Sequence, residues 1–177
     1  MPAAIPTPDH DDPKELYAFA GLALYAANLL ETSLINLAAG LRLAKEPAII
    51  REVFADTFQG LEAKTLGRLL KAARLLIPVA PDLDKLLDDA LARRNYLAHA
   101  FFREHAAELM HGGGKRHMLS MLIDMIDLFQ RADEQVTPLY EQVWLTLGVT
   151  PEFVERETAA MVREMDDHYG PDPRRVS

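Results

Sequence analysis

From Met118 to Val143 apolar side chains recur in an unbroken alternation of four and three residues: Met118, Leu122, Met125, Phe129, Ala132, Val136, Leu139 and Val143. On a strand these positions would scatter over both faces, whereas at about 100° per residue they form one stripe of an α-helix. The stripe passes Pro138 without changing phase, so the segment is read as a single long helix kinked at that proline. No stretch of the chain sustains period-two alternation. Prolines recur just inside helix starts and glycines sit at joints, so strands are not expected.

The same punctuation divides the rest of the chain. Asp12-Pro13-Lys14-Glu15 supplies an N-cap, a proline at the first helical position and a capping-box glutamate, opening a first helix to about Leu43. Pro47 opens a shorter helix that reaches about Phe58 and ends at Gly60. A third helix carries Leu66, Leu69, Ala73 and Leu76 before Pro78 and Pro81 close it. A fourth begins near Pro81, with Asp82 and Asp84 in its first turn, where the helix dipole favours negative charge, and is predicted to reach about Met110. His111-Gly112-Gly113-Gly114 reads as a flexible break before the long helix, and Thr150-Pro151-Glu152 caps a last, acidic helix to about His168.

Long helices joined by short turns imply an all-α fold: an antiparallel four-helix bundle with one short inserted helix and a C-terminal helix. The 177 residues contain no long linker, so residues 12–169 are read as one domain between a disordered N-terminus, 1–11, and a disordered tail, 170–177. Nothing at the N-terminus has the basic and apolar pattern of a signal peptide. The apolar stretch Leu16 to Leu41 carries Asn28, Glu31, Thr32, Ser33 and Asn36 and reads as a core helix rather than a membrane span. A soluble, cytoplasmic protein without membrane partners is expected. The absence of cysteine rules out disulfides, thiolate nucleophiles and Cys-ligated metal. A net charge of −8 disfavours non-specific nucleic-acid binding, which relies on many cationic contacts to phosphate.

Two stripes are interrupted by charge. In the first helix Ala20, Leu24, Ala27, Glu31, Leu34, Ala38 and Leu41 keep heptad spacing around a carboxylate. In the fourth, Leu83, Leu87, Ala90, Arg94, Leu97 and Phe101 do so around a guanidinium. An unpaired buried ion is too costly to be casual, so Glu31 and Arg94 are predicted to interact, directly or through Asn95. Such a pair is equally compatible with a purely structural role, fixing register or snorkelling to water.

Asn95 and His99, four residues apart, share a helical face with Asp88, Ala92, Phe102, Arg103 and Ala106. A helix with an apolar core stripe and a second face of small, aromatic and histidine residues has two surfaces to cover. The second suggests another copy of the chain about a two-fold axis, with Asn95, His99, Phe102 and Arg103 at the contact.

The hexapeptide Arg94-Asn95-Tyr96-Leu97-Ala98-His99, with its flanks Lys64-Thr65-Leu66-Gly67-Arg68-Leu69-Leu70, Ala90-Leu91-Ala92-Arg93 and Ala100-Phe101-Phe102, resembles the HEPN superfamily (higher eukaryotes and prokaryotes nucleotide-binding domain). The signature is an arginine, a following polar residue and a histidine, here in its shortest spacing, Arg-x4-His; a glutamate in the first helix, here Glu31, is also in keeping. The resemblance spans about residues 12–147. It implies a metal-independent endoribonuclease of toxin or phage-defence type, without cofactor, whose site forms where two copies of the fourth helix meet. In that reading His99 is the general base or acid toward the ribose 2′-hydroxyl, Arg94 stabilises phosphorane charge, and Asn95 orients phosphate or arginine. Glu31 and Tyr96 are supporting residues, Tyr96 with packing as its alternative. RNA is the substrate implied, and an antitoxin or a nucleotidyltransferase the implied partner. The contrasting reading is a non-catalytic dimeric module for binding or scaffolding. It draws on the fourth helix itself, where Asp82, Asp84, Asp88, Asp89 and Glu104 outnumber Lys85, Arg93, Arg94 and Arg103.

Other constellations carry less. Glu108 and His111 have the Glu-x-x-His spacing of di-iron bundles, but no second copy exists, so they are read as a helix end facing water, with His105 and His117 as separate surface residues and no metal site. Gly112-Gly113-Gly114-Lys115 lacks the full phosphate-loop pattern, nothing marks Ser120 as a nucleophile, and Met118, Met121 and Met125 have core spacing.

Overall fold

The computed structural model describes residues 4–10, 12, 14–49 and 51–170. Among these there are eight helices and no strand: α1 (Glu15–Leu43), α2 (Arg51–Glu62), α3 (Leu66–Leu76), α4 (Pro81–His99), α5 (Phe101–Glu104), α6 (Ala106–Leu109), α7 (Gly112–Thr146) and α8 (Pro151–Tyr169). The fold is all-α, as the periodicity predicts. Helix α1 packs most extensively on α7 and also touches α2, α3 and α4, while α4 closes against α7.

The α7 stripe behaves as its spacing requires: Met118, Leu122, Met125, Phe129, Ala132 and Val136 are buried, with Leu139 and Val143 half-buried against the same core. Pro138 lies inside the continuous helix. It has no N–H to give Glu134, which leaves one carbonyl without its usual helical donor. At the far end of the pair, Gly40 lets α1 approach α7 closely, and the Trp144 indole Nε1 donates to the Asn36 carbonyl at 3.0 Å. Length and composition alone would let α1 cross a membrane. In the structure Leu16, Phe19, Leu30, Leu34 and Leu37 are buried in the core, while Tyr17, Leu24, Tyr25 and Leu29 are exposed.

Several expectations are corrected. The buried side of α1 keeps Ala20, Ala27, Leu34 and Ala38 of the heptad stripe but is broader, adding Leu16, Phe19, Leu30 and Leu37, while Leu24 is 42% exposed. The α1 cap differs too. Lys14 is the N-cap residue, Asp12 accepts from the Lys14 N–H at 2.8 Å, and Glu15 reaches back to the Asp9 N–H at 3.2 Å instead of closing a box on Asp12. Pro13 lies outside the described residues, as do residues 1–3 and the tail 171–177; Ile5, within the expected disordered start, packs against the core. Helix α2 begins at Arg51 rather than Pro47 and runs through Gly60, whose α-carbon faces open space and tolerates helical geometry.

The largest correction concerns the fourth helix, which ends at His99 instead of Met110. Ala100 adopts φ −127° and ψ −34°, and His105 φ −99° and ψ 19°, so the chain turns twice and forms only the short α5 and α6. No proline or glycine marks this break. It brings Phe101 to full burial, with Tyr96 and His105 packed on its ring at centroid distances of 6.0 and 5.2 Å. The expected break further on is helix: Gly112–Gly114 form the first turn of α7, with His111 as its N-cap accepting from the Gly113 N–H at 3.1 Å. Glycine is required there by close approach, since a Cβ on Gly114 would lie 2.6 Å from the Glu108 Cα.

Candidate functional site

Arg74 fixes α3 to α4. Its guanidinium donates to Asp84 at 2.6 Å and Asp88 at 2.8 Å, and the two carboxylates hold its pKa above the ordinary value, Asp88 first. Lys85 engages Asp89 at 2.6 Å. Three of the acids that outnumber the bases on α4 are therefore paired, with two cations between them.

One turn beyond, the charge pair expected from the interrupted stripes is present. Arg94 Nη2 lies 3.8 Å from Glu31 Oε2, with the two side chains 27% and 19% exposed. The pair sits at the edge of the core and joins α1 to α4. Asn95 and His99 are exposed, and among the described residues no hydrogen bond or ion pair occupies the His99 imidazole. Arg93 is exposed and lines a shallow groove between α4 and α7 with Arg131, Asp124 and Leu128.

The face expected to continue to Ala106 ends at His99, because the helix does. Phe102 is half-buried and stacks on Tyr17 of α1, centroids 6.0 Å apart and planes at 19°. Arg103 points to solvent, 3.8 Å from its neighbour Glu104. The Glu31–Arg94 pair and the Tyr17–Phe102 stack together tie the outer face of α1 to the end of α4. Between them on α1 lie Leu24 and Tyr25, both exposed, so α1 presents an aromatic and aliphatic surface to solvent.

Tyr96 turns the other way. Its hydroxyl lies 2.7 Å from His105 Nε2, and its pKa is raised, first by burial and then by Glu104. His105 Nδ1 in turn lies 2.7 Å from Glu108 Oε1, while His117 Nδ1 approaches Glu108 Oε2 at 2.6 Å. His105 and His117 are thus not separate surface residues. The His105 side chain is only 12% exposed, against 36% for Glu108 and 60% for His117. Hydrogen bonds from His117 and then His105 hold the Glu108 carboxyl below the ordinary carboxylate range. His111, the partner suggested by spacing, is absent from this group because its Nδ1 caps α7.

The constellation was invisible to spacing because it depends on the turn at Ala100 and on the closeness of α6 and α7 at Gly114. The available signal was compositional: three imidazoles and a carboxylate within the thirteen residues from His105 to His117, around Gly112–Gly114. The structure brings together Glu31 and Arg94, leaves Asn95 and His99 exposed beyond them, and assigns Tyr96 to a second cluster. No family model matches the sequence, and no curated protein or solved structure matches it either.

Proposed function

We propose that the chain is a HEPN-like, metal-independent endoribonuclease of toxin or phage-defence type, working in the cytoplasm as a homodimer. One observation carries this reading: an exposed imidazole, His99, stands five residues along α4 from an arginine anchored by a carboxylate of another helix. Single-stranded RNA can be cut by its own 2′-hydroxyl if a base removes that proton, a cation stabilises the phosphorane, and an acid protonates the departing 5′-oxygen. His99 of one copy is the base: the 2′-oxygen bonds to phosphorus and a 2′,3′-cyclic phosphate forms. The P–O5′ bond breaks, and the same residue of the second copy delivers the proton to the 5′-oxygen. Arg94 supplies the charge, Asn95 orients the phosphate, and Glu31 is a positioning residue that aims the guanidinium. The exposed Tyr17, Leu24 and Tyr25 of α1 give a second copy an apolar surface on which to seat.

The test is incubation of RNA with purified protein in EDTA, beside His99→Ala and Arg94→Ala. The expected result is cleavage with 2′,3′-cyclic ends by the wild type, reduced by roughly 100-fold or more in either variant. Equal, negligible cleavage by all three removes the enzyme. A second reading is favoured by the net charge of −8, which opposes the approach of a polyanion. There, the same face is a dimer seam of a binding module, RNA is left intact, and His99→Ala or Arg94→Ala shifts the sedimentation equilibrium toward monomer.

A further inference from the structure

We propose that His105, Glu108 and His117 form a binding site for one divalent transition-metal ion of the zinc class. The donors come from three successive pieces of backbone: His105 at the turn between α5 and α6, Glu108 on α6 and His117 on the second turn of α7. One ligand atom from each lies within 4.8 Å of the other two. Two imidazole nitrogens and a carboxylate oxygen are the donor set that a zinc-class ion prefers over magnesium or calcium, which favour all-oxygen shells.

The group is organised as a ligand set should be. Both imidazoles turn the same nitrogen, Nδ1, toward Glu108, at 2.7 and 2.6 Å. The other nitrogen of His105 is held by Tyr96 Oη at 2.7 Å. An outer partner of this kind is what fixes ring orientation and tautomer for a metal-bound histidine. The Phe101 ring packs on the His105 ring, and the tight approach of Gly114 to Glu108 sets the separation of α6 from α7. The donors are therefore held by contacts of the fold itself before any ion arrives. His117, 60% exposed, leaves one side of the cluster open, so water or a further ligand completes a tetrahedron.

Binding exchanges the two N–H···O contacts for bonds to the ion. Each neutral imidazole then offers the Nδ1 lone pair and carries its proton on Nε2, and for His105 that proton is donated to Tyr96 Oη. The ion clips α6 to α7 and braces the turn that follows His99, without entering the Arg94–His99 site.

The experiment uses the full chain, stripped with EDTA and dialysed, and titrates zinc chloride by calorimetry; cobalt(II) is added in parallel and its visible absorption recorded. One ion per chain is expected, with tetrahedral cobalt bands. His117→Ala, at an exposed position, and Glu108→Gln should each weaken zinc binding by roughly ten-fold or more and abolish those bands, while His111→Ala and His99→Ala bind as the wild type. Circular dichroism establishes that each variant is folded. Absence of zinc binding by the wild type at micromolar concentrations, or wild-type affinity in both His117→Ala and Glu108→Gln, overturns the site. The readout does not involve RNA, so an inactive protein that binds zinc in this pattern sinks the ribonuclease and leaves the metal site standing.

Discussion

Arg94 of α4 and Glu31 of α1 lie 3.8 Å apart, beyond hydrogen-bonding distance and just inside ion-pair range, with both side chains less than one-third exposed. At such an edge position water still screens the charges, so the pair contributes less than a fully desolvated one and escapes most of its desolvation penalty. A double-mutant cycle of Glu31→Gln and Arg94→Met, read by urea denaturation, should give a coupling of about 0.5–1 kcal/mol. A coupling of zero would show that the two charges ignore each other. In the RNA assay Glu31→Gln should leave measurable but weakened cleavage, because it releases the guanidinium without removing it.

Tyr96 belongs to the hexapeptide by sequence and to the His105 cluster by geometry. Tyr96→Phe keeps the edge-on contact with Phe101 and deletes only the hydroxyl at 2.7 Å from His105 Nε2. One hydrogen bond in a half-buried setting is worth about 1 kcal/mol, so the denaturation free energy should fall by roughly that amount. Cleavage of RNA, if the hydroxyl faces away from the substrate as described, should continue at the wild-type rate. A large loss of turnover with unchanged stability would place Tyr96 on the opposite side of α4.

What could be read from the residues was whatever repeats or acts locally. The α7 stripe states its period eight times over, and Pro81 and Thr150 announce helix starts through their own backbone chemistry. The Glu31–Arg94 pair was legible because each charge interrupts an apolar stripe, although on α1 the core face is broader than the stripe and leaves Leu24 exposed. The break at Ala100 was not legible. Nothing in Ala98-His99-Ala100-Phe101 opposes a helix, and only the full burial of Phe101 distinguishes the turned chain from the straight one. Everything that follows from the turn was hidden with it, including the truncated His99 face and the meeting of His105 with His117. At Gly112–Gly114 local propensity pointed to a loop, and the close packing of α6 on α7 overrode it.

Two helical glycines should respond to alanine in opposite directions. Gly60 lies inside α2 with nothing within 4 Å of a Cβ, so Gly60→Ala restricts the unfolded chain and stabilises by about 0.5–1 kcal/mol. Gly114→Ala gains the same propensity but forces a Cβ to within 2.6 Å of the Glu108 Cα, and its net effect should be a destabilisation of about 1–3 kcal/mol. Because the clash is with backbone, no rotamer change relieves it. Thermal unfolding of the two variants side by side decides the matter; a more stable Gly114→Ala would mean that α6 and α7 do not approach as closely as described.

Helix α8 has no buried residue, so its first turn depends on local chemistry. Thr150 Oγ1 accepts from the Phe153 N–H at 3.3 Å, and the Glu152 carboxylate accepts from the Thr150 hydroxyl first and its own N–H second, which lowers its pKa from the ordinary 4.5. A carboxyl depressed in the folded helix lends stability that is complete above its unfolded pKa and disappears as the pH falls through the folded one. Fraying of residues 150–154 should therefore set in on acidification below about pH 4.5, while the core formed by α1 and α7 stays intact. Thr150→Ala should raise the Glu152 midpoint back toward its ordinary value and fray the same turn at neutral pH, weakening that helix end by about 1 kcal/mol. Residue-resolved NMR titration of both proteins measures this directly. An identical Glu152 midpoint with and without the threonine hydroxyl would remove the cap as the cause.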